Sequence, residues 1–164
     1  MRFQIDNIVD VTRRHGAALG PNWRFLMIDT RTAPYAALLL RLVLGISFLI
    51  HDGLKVFVFT PAGTAQFFES IGLPGALAYL VMLVELIVGV ALILGIQTRI
   101  ASLAGCVVLL GAIFTVHIHN GYFFSNENGG WEYPAFWAAA TIVQALLGSG
   151  AYALAAGNKK LATA

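Results

Sequence analysis

Charge is what this chain has least of. Of its 164 residues only 11% are Asp, Glu, Lys or Arg, whereas 59% are hydrophobic and the mean hydropathy is +0.79. Soluble domains carry about 25% charged residues, so a soluble globular domain is excluded. Cysteine is nearly absent as well. With Cys106 alone, one chain has no intramolecular disulfide, no CxxC redox pair and no thiolate zinc cluster. The net charge of +2 is too small to point to nucleic acid. Residues Met1 to Thr32 lack the continuous apolar run and small-residue cleavage site of a signal peptide, and this segment is expected to stay on the mature protein.

Long apolar runs are what the chain does have. One extends from about Ala33 to Phe59, with Pro34 near its start and Thr60-Pro61 at its end. Others extend from Pro74-Gly75 to Gly95, from Ile100 to His117, and from Tyr133 to Leu154. At ~1.5 Å per helical residue, about twenty residues cross a hydrocarbon layer of ~30 Å. The expected fold is all-α: a polytopic membrane protein with a bundle of four transmembrane helices. Arg2, Arg13, Arg14, Arg24 and Arg31 precede the first run, Arg99 joins the second to the third, and Lys159 and Lys160 follow the fourth. The positive-inside rule therefore puts both termini in the cytoplasm, with Lys55 at the opposite side.

Three segments follow from this reading. Residues 1–32 form a basic cytoplasmic extension, in which Ile5, Ile8, Val9 and Thr12 have the spacing of a helix lying on the membrane surface. Residues 33–155 form the four-helix membrane domain, and 156–164 a short cytoplasmic tail. Of the external loops, Phe59 to Leu73 carries Gln66, Phe67, Phe68, Ser70 and Ile71 in the pattern of a short surface helix. The other, His117 to Pro134, combines turn formers such as Asn120-Gly121 and Gly129-Gly130 with Tyr122, Phe123, Phe124, Trp131 and Tyr133. Aromatic residues at this depth usually anchor a protein at the membrane interface.

Ionisable groups inside the apolar runs need a reason to be there, since each costs ~2.5–3.5 kcal/mol on insertion scales. At ~100° per residue, Arg41, His51, Asp52 and Lys55 fall on one face of the first helix, which should turn into the bundle. Glu85 lies near the middle of the second run at a depth comparable to Arg41, so a buried Arg41 to Glu85 ion pair is expected. Its simplest role is to lock the first helix to the second. Ser102, Cys106, Ile113 and His117 share a face of the third helix, where Cys106 reads as a small packing residue. Tyr133, Trp137, Thr141, Gln144 and Gly148 share a face of the fourth, and Gln144 needs a hydrogen-bond partner there. Together His51, Lys55, His117, Glu132 and Tyr133 are the candidate ligand-binding residues, clustered just below the outer surface. No catalytic residue is assigned. His117 and His119 are two residues apart and diverge on a helix, so neither a metal site nor a covalent cofactor is expected.

Taken in order, Arg41-Leu42 with Gly45, His51 with Lys55, Gly72-Leu73-Pro74, Glu85 with Gly89, Gly95 with Thr98-Arg99, His117, Asn120-Gly121 and Glu132-Tyr133-Pro134 resemble the DoxX family of small four-helix bacterial membrane proteins. The resemblance covers about Leu38 to Leu147. One departure is that the family commonly has Gly directly after the motif histidine, where this chain has Asp52 and then Gly53. The resemblance implies a multi-pass protein of the bacterial inner membrane. It also implies work beside oxidoreductases, since some members are membrane subunits of thiosulfate:quinone oxidoreductases and others belong to membrane-associated complexes responding to oxidative stress.

Two functions of different class follow as expectations. The first is a membrane subunit of a quinone-linked oxidoreductase system, which holds a quinone or similar apolar ligand in an outer-half pocket and receives electrons from a redox partner protein. The second is a non-catalytic anchoring or assembly subunit, with the buried charges serving packing. A small-solute or proton transporter ranks below both, because the four runs show no inverted repeat. Lipid is a partner on any reading, nucleic acid on none, and an oligomer stays open.

Overall fold

The computed structural model describes residues 29–154, and the expected surface helix over Ile5 to Thr12 lies outside them. The chain divides after Ala33, and the second unit holds the helical bundle. Among the described residues, five α-helices make it up. Helix α1 (Ala33–Gly53) runs on into a π-helical turn (Leu54–Val58), and short α2 (Pro61–Ser70) follows. Next come α3 (Gly75–Leu94) and α4 (Thr98–Ala112), the latter extended by a π turn (Ile113–His117) and a 3-10 turn (Ile118–Asn120). Last is α5 (Glu132–Leu147). The protein is a multi-pass membrane protein, with three continuous helical stretches long and apolar enough to span a bilayer: Ala33–Val58, Gly75–Leu94 and Thr98–Asn120.

Local sequence explains where the helices stop. Thr60 caps α2 by accepting a hydrogen bond from the Gly63 amide at 3.1 Å, and Pro61 occupies the first helical position. At the far end of α3, Gly95 takes a left-handed φ of 72°. Its amide and that of Ile96 then close the helix onto the Leu92 and Ala91 carbonyls. The fourth expected span is cut short, as α5 has 16 residues. It ends at Leu147 and not near Leu154, because Gly148 and Gly150 adopt φ of 81° and 67° and the chain turns back. Gln144 finds the partner it needs in that turn, donating to the Gly148 carbonyl at 2.7 Å. The returning segment then closes the bundle, with the Ala151 amide bonded to the Pro34 carbonyl at the start of α1.

One core is shared by all four long helices: Leu44 and Phe48 from α1, Val88 and Leu92 from α3, Ala101, Cys106, Leu109 and Ile113 from α4 and its π turn, Trp137 and Ala138 from α5. Lipid is as apolar as leucine, so close packing and not hydrophobicity holds such helices together. Small residues permit it. A Cβ placed on Gly45 would lie 2.9 Å from the Gly89 carbonyl oxygen and 2.8 Å from Ile93 Cγ1. On Gly105 it would lie 2.5 Å from Phe48 Cζ, and that ring is fully buried.

Overpacking of this kind costs about 1–3 kcal/mol where neighbours cannot retreat, and the Gly45 neighbours are partly backbone. Gly45→Leu should therefore lower the thermal midpoint of the detergent-purified protein and its level in membranes. An unchanged midpoint would show that α1 and α3 do not touch there.

Candidate functional site

The contact between Gly45 and Gly89 sets how α1 and α3 line up. Counting ~1.5 Å per residue from it, Arg41 sits about 6 Å toward the inner end and Glu85 about 6 Å toward the outer end. They are roughly two helical turns apart, and the expected Arg41 to Glu85 pair does not form. Glu85 is taken by Lys55, whose Nζ donates to Oε1 at 2.6 Å and to Oε2 at 2.5 Å. Lys55 lies about 9 Å above Glu85 by the same count, a gap that its long side chain closes. Glu85 is 5% exposed.

Backbone geometry helps Lys55 reach. The π turn bonds the Phe59 amide to the Leu54 carbonyl, five residues back, which shifts the angular position of everything beyond Gly53. Buried Thr64 of α2 ties the turn down by donating to the Lys55 carbonyl at 3.2 Å. Beside the ion pair, Asp52 is buried with its Oδ1 unpartnered.

Arg41 is structural at the other end. It is 1% exposed, and its guanidinium donates to the Ala151 carbonyl at 3.3 Å. A Cβ on Gly95 would collide with that guanidinium, which places the charge at the C-terminal end of α3. The negative end of a helix dipole favours a cation there.

The five candidate ligand-binding residues do not form one cluster. His51 packs against Trp137, with ring centroids 4.9 Å apart, and Tyr133 meets the same indole at 5.8 Å. Trp137 also packs on Phe48 at 4.7 Å, and its buried Nε1 has no partner. His117 serves the outer loop: its Nδ1 bonds the Gly129 carbonyl at 2.8 Å. Asn120 adds bonds to the Asn128 and Gly129 carbonyls at 3.1 Å each. Glu132 accepts the Phe124 amide at 3.2 Å, while main-chain bonds join Trp131 to Gly121 and Glu132 to Tyr122. The turn-rich loop is thus folded tightly across the outer end.

That folding builds a cleft of about 530 Å³ lined by Tyr122, Phe124, Trp131, Glu132, Tyr133, Ala135 and Phe136. Tyr122 meets Trp131 edge-on, centroids 4.8 Å apart and rings at 82°. Of the five candidates only Glu132 and Tyr133 line it; His51 meets Trp137, which Tyr133 also touches, and Lys55 is bonded to Glu85. Sequence reading put these aromatic residues at the interface but did not assemble them into a cleft. Only their density between Tyr122 and Phe136 signalled it.

Comparison with known proteins fits this architecture. The DoxX family model matches residues 36–118, from the first turn of α1 to the 3-10 turn after α4. The chain belongs to the DoxX family. Within the matched part lie Arg41, Gly45, His51, Lys55, Glu85, Gly89, Gly95 and His117, whereas the cleft and α5 lie beyond it. Over 81 residues the chain is 47% identical to a Bacillus subtilis (strain 168) protein named "Putative oxidoreductase CatD". Those residues are 49% of this chain and 59% of that relative, so the match spans about three fifths of the relative's length. No solved structure matches the chain. The family match marks a DoxX membrane protein.

Two measurements probe this geometry. Lys55→Met and Glu85→Gln should each destabilise the bundle by about 1–3 kcal/mol, Lys55 being partly screened, and the double variant should lose less than the sum. Additive losses would mean that the two side chains do not interact. His117→Ala should raise amide exchange across Gly129 to Trp131 by about tenfold, the worth of one hydrogen bond of ~1–1.5 kcal/mol. Unchanged exchange would show the loop to be held by other contacts.

Proposed function

We propose that this chain is the membrane subunit of a quinone-linked oxidoreductase system of the bacterial inner membrane, and that the outer cleft takes the ring of a quinone or similar small apolar ligand. The cleft carries this reading. Its volume falls within the ~300–1,000 Å³ usual for small-molecule sites, and its lining is aromatic with few polar groups, as such sites require. Tyr122 and Trp131 offer ring surfaces for stacking, and the Tyr133 hydroxyl offers a hydrogen bond to a ring carbonyl. Phe136, 74% exposed on the first turns of α5, opens the cleft toward lipid, where an apolar tail belongs.

Quinone reduction takes up two electrons and two protons. The single Cys106 offers no dithiol, so the reading assigns the electrons to a redox partner protein. Trp137 touches both Tyr133, which lines the cleft, and His51. The relative's name, an oxidoreductase, supports the reaction class.

A second reading, the non-catalytic anchoring or assembly subunit, draws on a specific observation. Arg41, Glu85, His117 and Glu132 each bond within the chain and serve its packing.

Titrating the full chain in lipid nanodiscs with a water-soluble short-chain ubiquinone separates the two. On the quinone reading, tryptophan fluorescence falls saturably, Trp131→Leu removes most of the change, and Tyr133→Phe weakens binding about tenfold, one hydrogen bond's worth. Quenching that never saturates, or that survives both substitutions, would leave the accessory reading.

A further inference from the structure

Around the Lys55 to Glu85 ion pair the charges do not balance. Asp52 and Glu85 bring two carboxyl groups to the outer half of the core, and Lys55 brings one ammonium. Lys55 follows Asp52 by three residues, across the start of the π turn, and bonds both oxygens of Glu85. By the count from Gly45 and Gly89, Asp52 lies about 4–5 Å above the level of Glu85, between it and Lys55. Asp52 is 7% exposed and Glu85 5%, so water does not solvate the excess negative charge.

Among the described residues, the surrounding elements supply no second cation. On α1, Arg41 is eleven residues away, about 16 Å, and committed to the Ala151 carbonyl. From α2, Thr64 reaches the Lys55 backbone and not the carboxyls. The outer half of α4 contributes Cys106, Leu109 and Ile113 to the core, and its His117 is engaged by the outer loop. From α5 come Trp137, and Tyr133 on its cleft side. His51, next to Asp52, is stacked on Trp137.

We propose that Asp52, Lys55 and Glu85 hold one exchangeable proton between them, making this cluster a proton-loading site in the core of the bundle. Two carboxylates at one site cannot both stay ionised beside a single ammonium in a medium that solvates charge poorly. One carboxyl oxygen forms an O–H bond on loading and releases the proton on unloading, while the Lys55 ammonium stays with the other carboxylate. The Lys55 side chain, 23% exposed, marks the way to water. The inference is independent of any ligand in the cleft.

Infrared spectra of the full chain in bilayers, recorded at neutral pH in H2O and D2O, test it directly. The wild-type protein should show the C=O band of one protonated carboxyl, shifted by D2O, which disappears in both Asp52→Asn and Glu85→Gln. Lys55→Gln, which removes the ammonium and leaves two carboxyls, should raise that band about twofold. Asp52→Asn keeps the ion pair with Glu85, so its loss of the band reads protonation and not misfolding. A wild-type spectrum without the band would overturn the proposal, as would a band untouched by Asp52→Asn and Glu85→Gln. A proton carried by His51, seen as an imidazolium signal with no carboxyl band, would overturn it too.

Discussion

The backbone contact between Gly45 on α1 and Gly89 on α3 is the constraint from which the polar interior follows. In lipid there is no water to expel between helices, so association rests on how closely two backbones approach. Two facing glycines bring α1 and α3 together at one height, and every other residue on those helices is then placed by counting turns. Arg41 falls at the end of α3, beside Gly95, where a cation meets the negative end of the helix. Glu85 falls within reach of Lys55. Shifting the contact by one turn would exchange these partners.

The buried charges are thereby compensated unequally. Lys55 and Glu85 neutralise one another across two helices. Arg41 relies on a carbonyl and a helix dipole, and at the same time holds the returning segment after α5 against the start of α1. Asp52 is left with an oxygen that nothing in the described structure satisfies. The π turn at Leu54–Val58 belongs to the same arrangement, since it redirects Lys55 and is itself secured by Thr64. Departures from regular helix often mark places where side-chain position outweighs backbone regularity.

The outer loop shows a different principle. Its aromatic side chains Tyr122, Phe123 and Phe124 stay exposed, and it is held by a ladder of polar bonds from His117, Asn120, Asn126 and Glu132. Because these bonds are short-range and numerous, the aromatic residues between Tyr122 and Phe136 are fixed relative to one another, and a cleft results where a simple interfacial belt was expected. His117 and Glu132, expected as ligand groups, also hold the loop by hydrogen bonds. Of the expected ligand residues, Tyr133 alone lines the cleft while showing no hydrogen bond within the described structure.

Composition and periodicity were enough to determine a membrane protein of helices, the limits of α1 and α3, the short α2, and the inward face carrying Arg41, His51, Asp52 and Lys55. These depend on residue type and on the pitch of one helix, both local properties. Which acid meets which base was decided only by tertiary structure, because pairing depends on the relative height of two helices, and that height is set by a glycine contact between residues 44 positions apart. The early stop of the last helix at Gly148 and the division of the candidate residues between core, loop and cleft were decided in the same way. A chain read alone has a helical pitch but no common origin from which two helices can be measured.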